Sequence, residues 1–293
     1  MRVLITGCYG QVGSCLTGQL ANNENIAVLA LDREHLDITS QGAVNAAVSE
    51  FQPTVIINAA AHTAVDKAEE EIDLSYAINR DGPKYLAQAA QSVGAAIIHI
   101  STDYVFEGNK VGEYAESDAT NPQGVYGESK LAGEIAVAQA CERHIILRTA
   151  WVFGENGNNF VKTMLRLGED RDALSIVGDQ FGGPTYAGDI TSTLIQIANR
   201  IDQGDVVRYG VYHYSGLPHV SWFDFANAIF DLAVEQGVLP KKPMLTSIAT
   251  DQYPTPAKRP SNSRLSNEKI IAEFSVEASD WNTALKDIQA YTG

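Results

Sequence analysis

The 293-residue sequence has few cysteines, no clustered metal ligands and no long apolar run, and each absence excludes a class of protein. Its three cysteines, Cys8, Cys15 and Cys141, show no paired spacing, so neither a disulfide framework nor a zinc site is predicted. The six histidines are scattered as well, and we expect no metal site. No apolar stretch approaches the ~20 residues of a membrane helix, and the N-terminal one is too short for a signal peptide. We therefore expect a cytoplasmic protein without a membrane partner.

Basic charge is also scarce. The sequence has 21 lysines and arginines against 36 acidic residues, which gives a formal net charge of −15. Such a balance argues against nucleic acid or an anionic membrane surface as a partner. A phosphorylated ligand is still compatible with it, because a few local cations and helix N-termini are enough to hold a phosphate.

Short apolar runs alternate with helical patterns through the first half of the chain, which predicts an α/β protein with a Rossmann-type, doubly wound parallel sheet. The predicted strands are residues 2–6, 26–32, 55–59, 96–101 and 145–149. The predicted helices among them are residues 11–21, 41–50, 74–92 and 125–140, and Pro83 predicts a kink or break in the third.

Past Trp151 the alternation is less regular. Helices are predicted at 160–167, 189–200 and 281–291, and another begins after Ser221, where Asp224 completes a capping-box spacing. We predict a dinucleotide-binding Rossmann domain at residues 1–150. A smaller α/β part at 151–293 is expected to bind mainly substrate, and it is free to return strands or helices to the first domain.

Gly7, Gly10 and Gly13 follow the first predicted strand directly and open the first helix. Gly7 permits a tight turn, Gly10 lets the backbone approach a pyrophosphate, and Gly13 lets helix and strand pack closely. A glycine trio also fits an ordinary strand–helix turn. Its place at the first such junction favours a dinucleotide site.

Further residues expected to contact the cofactor follow the second and third strands. The second strand ends at Asp32, where an acid meets ribose hydroxyls, and the adjacent Arg33 can instead accept a 2′-phosphate. This pair leaves NADH and NADPH both open as cofactor. Asp37 and Ile38 lie where the next loop can cover the adenine. Ala59 ends the third strand among small residues, as a backbone beside a cofactor requires, although such residues are also common packing.

The candidate catalytic residues are Thr102, Tyr126 and Lys130. Thr102 ends the fourth strand, and Tyr126 and Lys130 lie four residues apart on one face of a helix. The pKa of a phenol is near ~10, and a nearby ammonium is expected to lower it. Lys130 can also hydrogen-bond the nicotinamide ribose, while Thr102 holds a carbonyl oxygen within reach of Tyr126. A Tyr-x-x-x-Lys spacing alone is close to chance, but after the preceding motifs it predicts hydride transfer at a sugar-like carbonyl.

The order of these motifs is similar to that of the extended short-chain dehydrogenase/reductase superfamily, and longer strings resemble its dTDP-4-dehydrorhamnose reductase family. In the first half the matching strings are residues 58–67 (NAAAHTAVDK), 101–106 (STDYVF) and 125–134 (VYGESKLAGE). In the second half they are residues 148–153 (RTAWVF), 157–160 (GNNF), 179–185 (DQFGGPT), 221–225 (SWFDF) and 259–265 (RPSNSRL). The resemblance spans almost the whole chain.

The resemblance implies NADPH- or NADH-dependent reduction of the 4-keto group of dTDP-4-dehydro-L-rhamnose to dTDP-L-rhamnose. It assigns catalysis to Thr102, Tyr126 and Lys130, and sugar contacts to Asp103 and Trp151. The cofactor contacts that it implies are Gly10, Gln11, Val12, Asp32, Asp37, Ile38, Ala61, His62 and Thr63. Some members of the family bridge two subunits through a metal held by acids, one of them in the first helix. Residues 13–16 carry no acid here, which argues against the metal bridge and leaves a homodimer open.

A dTDP sugar brings its own diphosphate, for which we expect local donors in the second half of the chain. The candidates are the turn formed by Asn158, Asn159 and Phe160 at a helix start, and the two arginines Arg259 and Arg264. Trp151 is expected to cover the sugar ring with its aromatic face. The alternative is that Arg259 and Arg264 are ordinary exposed loop arginines and that Trp151 is a core residue, without a role in binding.

Other functions stay open on the sequence. A nucleotide-sugar 4-epimerase also needs only a threonine or serine, a tyrosine and a lysine. A non-catalytic regulatory subunit that holds a dinucleotide, like relatives bound to methionine adenosyltransferase, can keep all three residues. A dehydratase is disfavoured, because it needs a second acid after Asp103, where the sequence has Tyr104.

Overall fold

The computed structural model describes residues 1–21, 23 and 25–292, and its largest sheet has six parallel strands. Their bounds are Arg2–Thr6 (β1), Ala27–Leu31 (β2), Val55–Asn58 (β3), Ala96–Thr102 (β4), His144–Thr149 (β5) and Gly210–His213 (β6). They lie in the order β2-β1-β3-β4-β5-β6. The Rossmann-type α/β class is confirmed, and the first five strands match the predicted ones to within one residue at each end.

Consecutive strand residues face opposite sides of this sheet and fill two hydrophobic cores. Val3 and Ile5 of β1 pack with Leu16 and Ile190 on one side. Leu4, which lies between them, packs on the other side. Because helices cover both faces, the strands are mostly apolar on both sides, and polar residues such as Asn58 and His99 are buried exceptions.

The helices of the first half follow the predicted ones, with one interruption just ahead of a proline. The longer ones are Gln11–Leu20 (α1), Gln41–Phe51 (α2), Gly82–Ser92 (α3) and Val125–Ala140 (α4), with short helices at Val65–Ala68 and Ile72–Tyr76. The predicted helix at 74–92 is interrupted by a π-helical turn at Ala77–Asp81. Pro83 then lies in the first turn of α3, where its missing N–H costs no hydrogen bond. The predicted break is therefore confirmed.

The second half adds β6 to the six-stranded sheet and packs the helix Ala187–Asp202 against it. It also builds a separate hydrophobic core. Its helices are Phe160–Asp170 (α5), Ala187–Asp202 (α6), Trp222–Glu235 (α7), Glu268–Phe274 (α8) and the short Trp281–Leu285. Ala173–Val177 pairs in parallel with Met244–Ile248. Two-residue strands complete this half at Val152–Phe153, Phe181–Gly182, Thr185–Tyr186, Gly216–Leu217, Val220–Ser221, Asn262–Ser263 and Ser279–Asp280.

Of two helix predictions in this half, the capping box at Ser221 is confirmed and the single helix at 281–291 is not. The capping box is confirmed: Ser221 Oγ accepts from the Asp224 N–H at 3.0 Å, and the Asp224 carboxylate accepts from the Ser221 N–H at 3.2 Å. The prediction of one continuous helix at residues 281–291 is wrong. The observed helix ends at Leu285, and a 3₁₀ turn at Ile288–Tyr291 follows. Both ends of that turn are buried in the second core, so packing overrides the helical pattern.

The strand order creates a crevice at one edge of the large sheet. β2 lies on one side of β1 and β3 lies on the other. The connections that follow β1 and β3 therefore run in opposite directions, and they leave a gap at the carboxyl ends of these two strands. Open α/β sheets bind ligands at such a switch point. In the described ranges, no helix combines the length and apolarity that crossing a membrane takes.

Candidate active site

A cleft of about 1430 Å³ lies at the carboxyl ends of the sheet strands and extends into the second half of the chain. The predicted site residues that line it are Gly10, Gln11, Val12, Ala59, Ala61, Thr63, Thr102, Asp103, Tyr126, Lys130, Trp151 and Arg259. The predicted residues that do not line it are Gly7, Asp32, Arg33, Asp37, Ile38, His62 and Asn159.

The glycine-rich turn leaves no room for side chains where it meets β3. Gly7 has φ +73°, and a Cβ there would lie 2.7 Å from the backbone nitrogen of Ala60. A Cβ on Gly13 would lie 2.1 Å from the Gly7 carbonyl oxygen. The turn therefore brings the N-terminus of α1 to the cleft, where the buried Gln11 Oε1 has no partner in the described structure. A helix N-terminus facing an open cleft suits a pyrophosphate.

The loop after β3 is held by a histidine that faces away from the cleft. The His62 ring lies 3.0 Å from Ser75 Oγ and 3.0 Å from the Glu71 carboxylate. Asn79 Oδ1 accepts from the His62 N–H at 2.8 Å, and Asn79 Nδ2 donates to Ser129 Oγ at 3.0 Å. His62 thus anchors the loop that presents Ala61 and Thr63 to the cleft.

Residues predicted for the adenosine lie beside the end of β2. Asp32 Oδ1 accepts from the His35 N–H at 2.9 Å, which closes a turn. Asp37 Oδ1 accepts from the Thr39 N–H at 2.9 Å, and Ile38 is buried against Gly82. Arg33 is exposed. The Gly7 N–H donates to the Leu31 carbonyl at 2.9 Å, so this group borders the glycine-rich turn.

The catalytic candidates meet because α4 packs directly against the turn after β4. A Cβ on Gly127 would lie 2.2 Å from the Tyr104 carbonyl oxygen, so only glycine permits this approach. The Thr102 hydroxyl is within hydrogen-bonding reach of Tyr126, and it also donates to Asp103 Oδ1 at 3.1 Å. Lys130 Nζ donates to the Ile100 carbonyl at 2.6 Å.

Burial dominates the protonation of this group. It raises the pKa of Tyr126 to about 12, an effect that the Thr102 hydrogen bond opposes and the Asp103 charge reinforces. Burial also lowers the pKa of Lys130 to about 8, against the opposing charge of Glu134. The predicted lowering of the Tyr126 pKa is therefore wrong: the Lys130 ammonium donates to a strand carbonyl, and desolvation of the phenol outweighs it.

Asp103 is a buried acid with a free oxygen beside Thr102. Burial raises its pKa to about 6, although hydrogen bonds from Ser263 and Thr102 oppose the shift. Its Oδ2 has no partner in the described part of the chain. A buried, unpaired carboxyl oxygen on a cleft wall is suited to accept a hydrogen bond from a ligand hydroxyl.

A buried ion pair lies directly behind the catalytic candidates. Arg148 of β5 donates to both oxygens of Glu134, at 2.9 and 2.7 Å, and Ser101 Oγ donates to Glu134 Oε1 at 2.5 Å. Glu134 lies one turn beyond Lys130 on α4. The pair therefore joins α4 to β4 and β5 under the strand ends that carry Thr102.

An aromatic pair forms part of the wall from the second half. The rings of Trp151 and Trp222 stack with centroids 3.5 Å apart and an interplanar angle of 11°. Trp151 has φ +50°, and a Cβ on the neighbouring Gly182 would lie 2.6 Å from its ring. The close fit of Gly182 holds the indole in place on the cleft wall.

The predicted diphosphate donors have three different environments. Arg259 lines the cleft and donates to Asp66 Oδ2 at 2.6 Å, while its buried Nη1 has no partner in the described ranges. Arg264 lies outside the cleft lining, with its guanidinium 5.4 Å from the Phe181 ring centre. Asn159 caps α5: its Oδ1 accepts from the Lys162 N–H at 3.1 Å.

A sequence profile described as the RmlD substrate binding domain matches residues 1–292. The chain belongs to this family. The dTDP-4-dehydrorhamnose reductase of Aggregatibacter actinomycetemcomitans is 54% identical over 290 residues, which cover 99% of each chain. The resemblance to the dTDP-4-dehydrorhamnose reductase family is thereby confirmed.

Two solved structures of the dTDP-4-dehydrorhamnose reductase family have nearly the same backbone. The Clostridium acetobutylicum protein has a TM-score of 0.90 at 42% identity, covering 99% of this chain and 98% of that one. The Bacillus anthracis protein, solved in complex with NADP, has a TM-score of 0.90 at 38% identity, covering 98% of each chain.

Sequence reasoning missed several residues that line the cleft of this dTDP-4-dehydrorhamnose reductase family member. They are Asp66, Tyr104, Arg171, Gln180, Trp222, Gln252, Tyr253 and Ser263. The family resemblance was the available signal for five of them, because the matching strings contain Asp66, Tyr104, Gln180, Trp222 and Ser263. Arg171 follows the last residue of α5, and no local pattern distinguishes it from a solvated surface arginine.

Proposed function

We propose that this chain reduces the 4-keto group of dTDP-4-dehydro-L-rhamnose to dTDP-L-rhamnose with NADPH or NADH. One observation carries the proposal: Thr102, Tyr126 and Lys130 meet in the cleft that also receives the glycine-rich turn. They do so in a chain that is 54% identical to a dTDP-4-dehydrorhamnose reductase along its length. Net oxidation of the cofactor by this keto sugar nucleotide tests the proposal.

The first half of the chain fits a nicotinamide dinucleotide. We assign the pyrophosphate to the α1 N-terminus, where Gly10 opens the backbone and the first N–H groups of the helix can donate to its oxygens. The adenosine ribose is assigned to Asp32 and Arg33 at the end of β2. Ala59, Ala61 and Thr63 are assigned to the remaining wall.

Tyr126 is the proposed proton donor. When bound, the reduced nicotinamide supplies the hydride that goes to the carbonyl carbon. The carbonyl oxygen then takes the phenolic proton of Tyr126, while the Thr102 hydroxyl holds that oxygen in place. The raised pKa of Tyr126 supports this direction, because a phenol that delivers a proton must be neutral beforehand.

Substrate is assigned mainly to the second half. The stacked pair Trp151 and Trp222 gives the cleft a rigid aromatic wall, which we assign to the sugar ring. The free Oδ2 of Asp103 is assigned to a sugar hydroxyl. The buried free nitrogen of Arg259 supports its assignment to the diphosphate, with Arg171 as a second cation of the same cleft. Asn159 is assigned an indirect role, because its side chain caps α5.

The other functions considered receive less support. A dehydratase lacks its second acid, because Tyr104 occupies that position and its ring packs edge-on against Tyr126, with centroids 5.3 Å apart. An epimerase and a binding subunit share the triad, but relatives at 54% and 42% identity carry the reductase name. Neither alternative requires net cofactor oxidation, so that measurement separates them from the reductase.

Replacing Arg259 by alanine is expected to weaken substrate binding without changing NADPH affinity. A lost charge-assisted hydrogen bond of ~1.5–3 kcal/mol corresponds to about ten- to hundredfold. Calorimetric titration with dTDP and with NADPH measures both affinities. Arg264→Ala is the matched control, because that guanidinium lies over Phe181 outside the cleft lining. Equal dTDP affinity in the two variants would remove Arg259 from the diphosphate site.

The alkaline side of the pH profile is expected to report Lys130. Below its lowered pKa of about 8 the side chain is an ammonium that can donate to the cofactor ribose, and above it the charge is lost. The kcat/KM for NADPH should therefore fall about tenfold per pH unit at high pH. Lys130→Arg keeps the charge and should abolish this fall, even at a lower overall rate. If kcat/KM of Lys130→Arg falls at high pH as it does in the wild type, the assignment of this fall to Lys130 is wrong.

A further inference from the structure

The turn that follows β2 contains an ion pair on the residue assigned to the adenosine ribose. Asp32 Oδ1 accepts from the backbone N–H groups of Glu34 and His35, each at 2.9 Å. The same oxygen lies 2.7 Å from Nδ1 of the His35 ring. The Asp32 side chain is 14% exposed, whereas the His35 side chain is 68% exposed. The histidine thus covers the carboxylate from the solvent side.

The position of this pair matters because of its neighbours. The turn follows Leu31, whose carbonyl accepts from the Gly7 N–H at 2.9 Å. The Asp32 charge also raises the pKa of Cys8 within the glycine-rich turn, after the larger effect of burial. In dinucleotide-binding folds an acid at this point meets the ribose 2′-hydroxyl of NADH, and a nearby arginine accommodates the 2′-phosphate of NADPH.

We propose that His35 is a specificity-determining residue for the cofactor. When protonated, it neutralises Asp32 and, together with Arg33, makes the turn acceptable to the 2′-phosphate of NADPH. When neutral, it leaves the Asp32 charge free to repel that phosphate, while the carboxylate still binds the ribose hydroxyl of NADH. This inference rests on the proposed function, because it places the adenosine ribose at Asp32.

The charges of the turn support a role of His35 in the choice between NADPH and NADH. Asp32 and Glu34 carry one negative charge each, and Arg33 carries one positive charge. A protonated His35 brings the four residues to zero, and a neutral one leaves them at −1. The hydrogen bond with Asp32, followed by the charges of Asp32 and Glu34, raises the pKa of His35. The charged form of His35 is therefore favoured over that of an ordinary histidine at the same pH.

Asp37, a further charged residue of this loop, does not cancel the effect. Asp37 follows in the same loop, and its pKa is lowered mainly by its hydrogen bonds to Thr39, with Arg33 contributing. It stays ionised while His35 titrates, so it adds a constant negative charge. The turn is exposed, and salt screens such groups, so the selection should be several-fold, not absolute.

The test measures dissociation constants of NADPH and NADH on the full chain by calorimetry at about pH 6.5 and about pH 8.5. In the wild type, the ratio of the NADPH constant to the NADH constant should rise about three- to tenfold between these values. His35→Gln keeps a donor near Asp32 without the charge, and its ratio should change little with pH. That comparison also removes the titration of the 2′-phosphate itself, whose second pKa is near ~6.

Glu34→Gln is the matched control, because it also removes one negative charge from the turn but leaves the His35 ring in place. It should favour NADPH at both pH values and keep a pH dependence in the wild-type direction, shifted to slightly lower pH because the Glu34 charge contributes to the raised pKa of His35. A wild-type ratio that does not change with pH, or a change that persists in His35→Gln, would overturn the role of His35. If neither dinucleotide binds at either pH, the proposed function itself fails, and this inference fails with it.

Discussion

Replacing Tyr126 by phenylalanine should lower kcat by about 10² or more, because a positioned acid contributes about that much to a proton transfer. The ring and its packing against Tyr104 are retained, so the fold and the NADPH affinity should stay near wild type. Thr102 would still hold the substrate oxygen, but the proton would have to come from water. Steady-state kinetics and NADPH titration on the same preparation measure both effects.

Tyr76→Phe is the matched control for this variant. The Tyr76 hydroxyl lies outside the cleft lining and donates to Glu128 at 3.5 Å, so its removal should leave kcat within about twofold. Turnover of Tyr126→Phe at the level of this control would mean that another group delivers the proton. The Tyr126 assignment would then be wrong.

Replacing Glu134 by leucine should cost about 3–5 kcal/mol of unfolding free energy. The reason is the Arg148 guanidinium, whose side chain is 5% exposed and would lose its carboxylate without gaining water. Denaturant unfolding followed by tryptophan fluorescence measures the loss. The double variant Glu134→Leu/Arg148→Met should recover most of it, since removing both charges ends the desolvation cost.

A surface pair provides the comparison for Glu134. Lys241 and Asp172 are 67% and 85% exposed, so Asp172→Asn should change stability by at most ~1 kcal/mol. Because the Glu134 charge opposes the lowering of the Lys130 pKa, Glu134→Leu should also move the alkaline limb to lower pH. If Glu134→Leu lowers the free energy of unfolding no more than Asp172→Asn does, the account of the buried Glu134–Arg148 pair is wrong.

Local rules were sufficient to predict that the three catalytic candidates lie together and where the first five strands run. Tyr126 and Lys130 share a helix face because of their four-residue spacing, and Thr102 ends a strand that the apolar run predicts. The degree of burial is a tertiary property, which is why the pKa of Tyr126 was predicted in the wrong direction. The sequence shows that a lysine is near, but not how much water the fold excludes.

Contacts between distant residues could not be predicted from spacing. Trp151 and Trp222 lie 71 positions apart, and their stacking depends on where two separate elements meet. The strand Gly210–His213 escaped prediction because four residues beginning with glycine give almost no periodic signal. The ion pair of Arg259 with Asp66 links residues 193 positions apart, and only the family resemblance singled out both strings.

The most direct test of the central claim is a single turnover with C4-deuterated NADPH and dTDP-4-dehydro-L-rhamnose, with enzyme in excess over both ligands. The account predicts loss of the reduced-nicotinamide absorbance in step with formation of dTDP-L-rhamnose, with the deuterium on C4 of the sugar. Tyr126→Phe should slow both signals together. Binding of both ligands without oxidation, or rearrangement of the sugar without net loss of NADPH, would contradict the account.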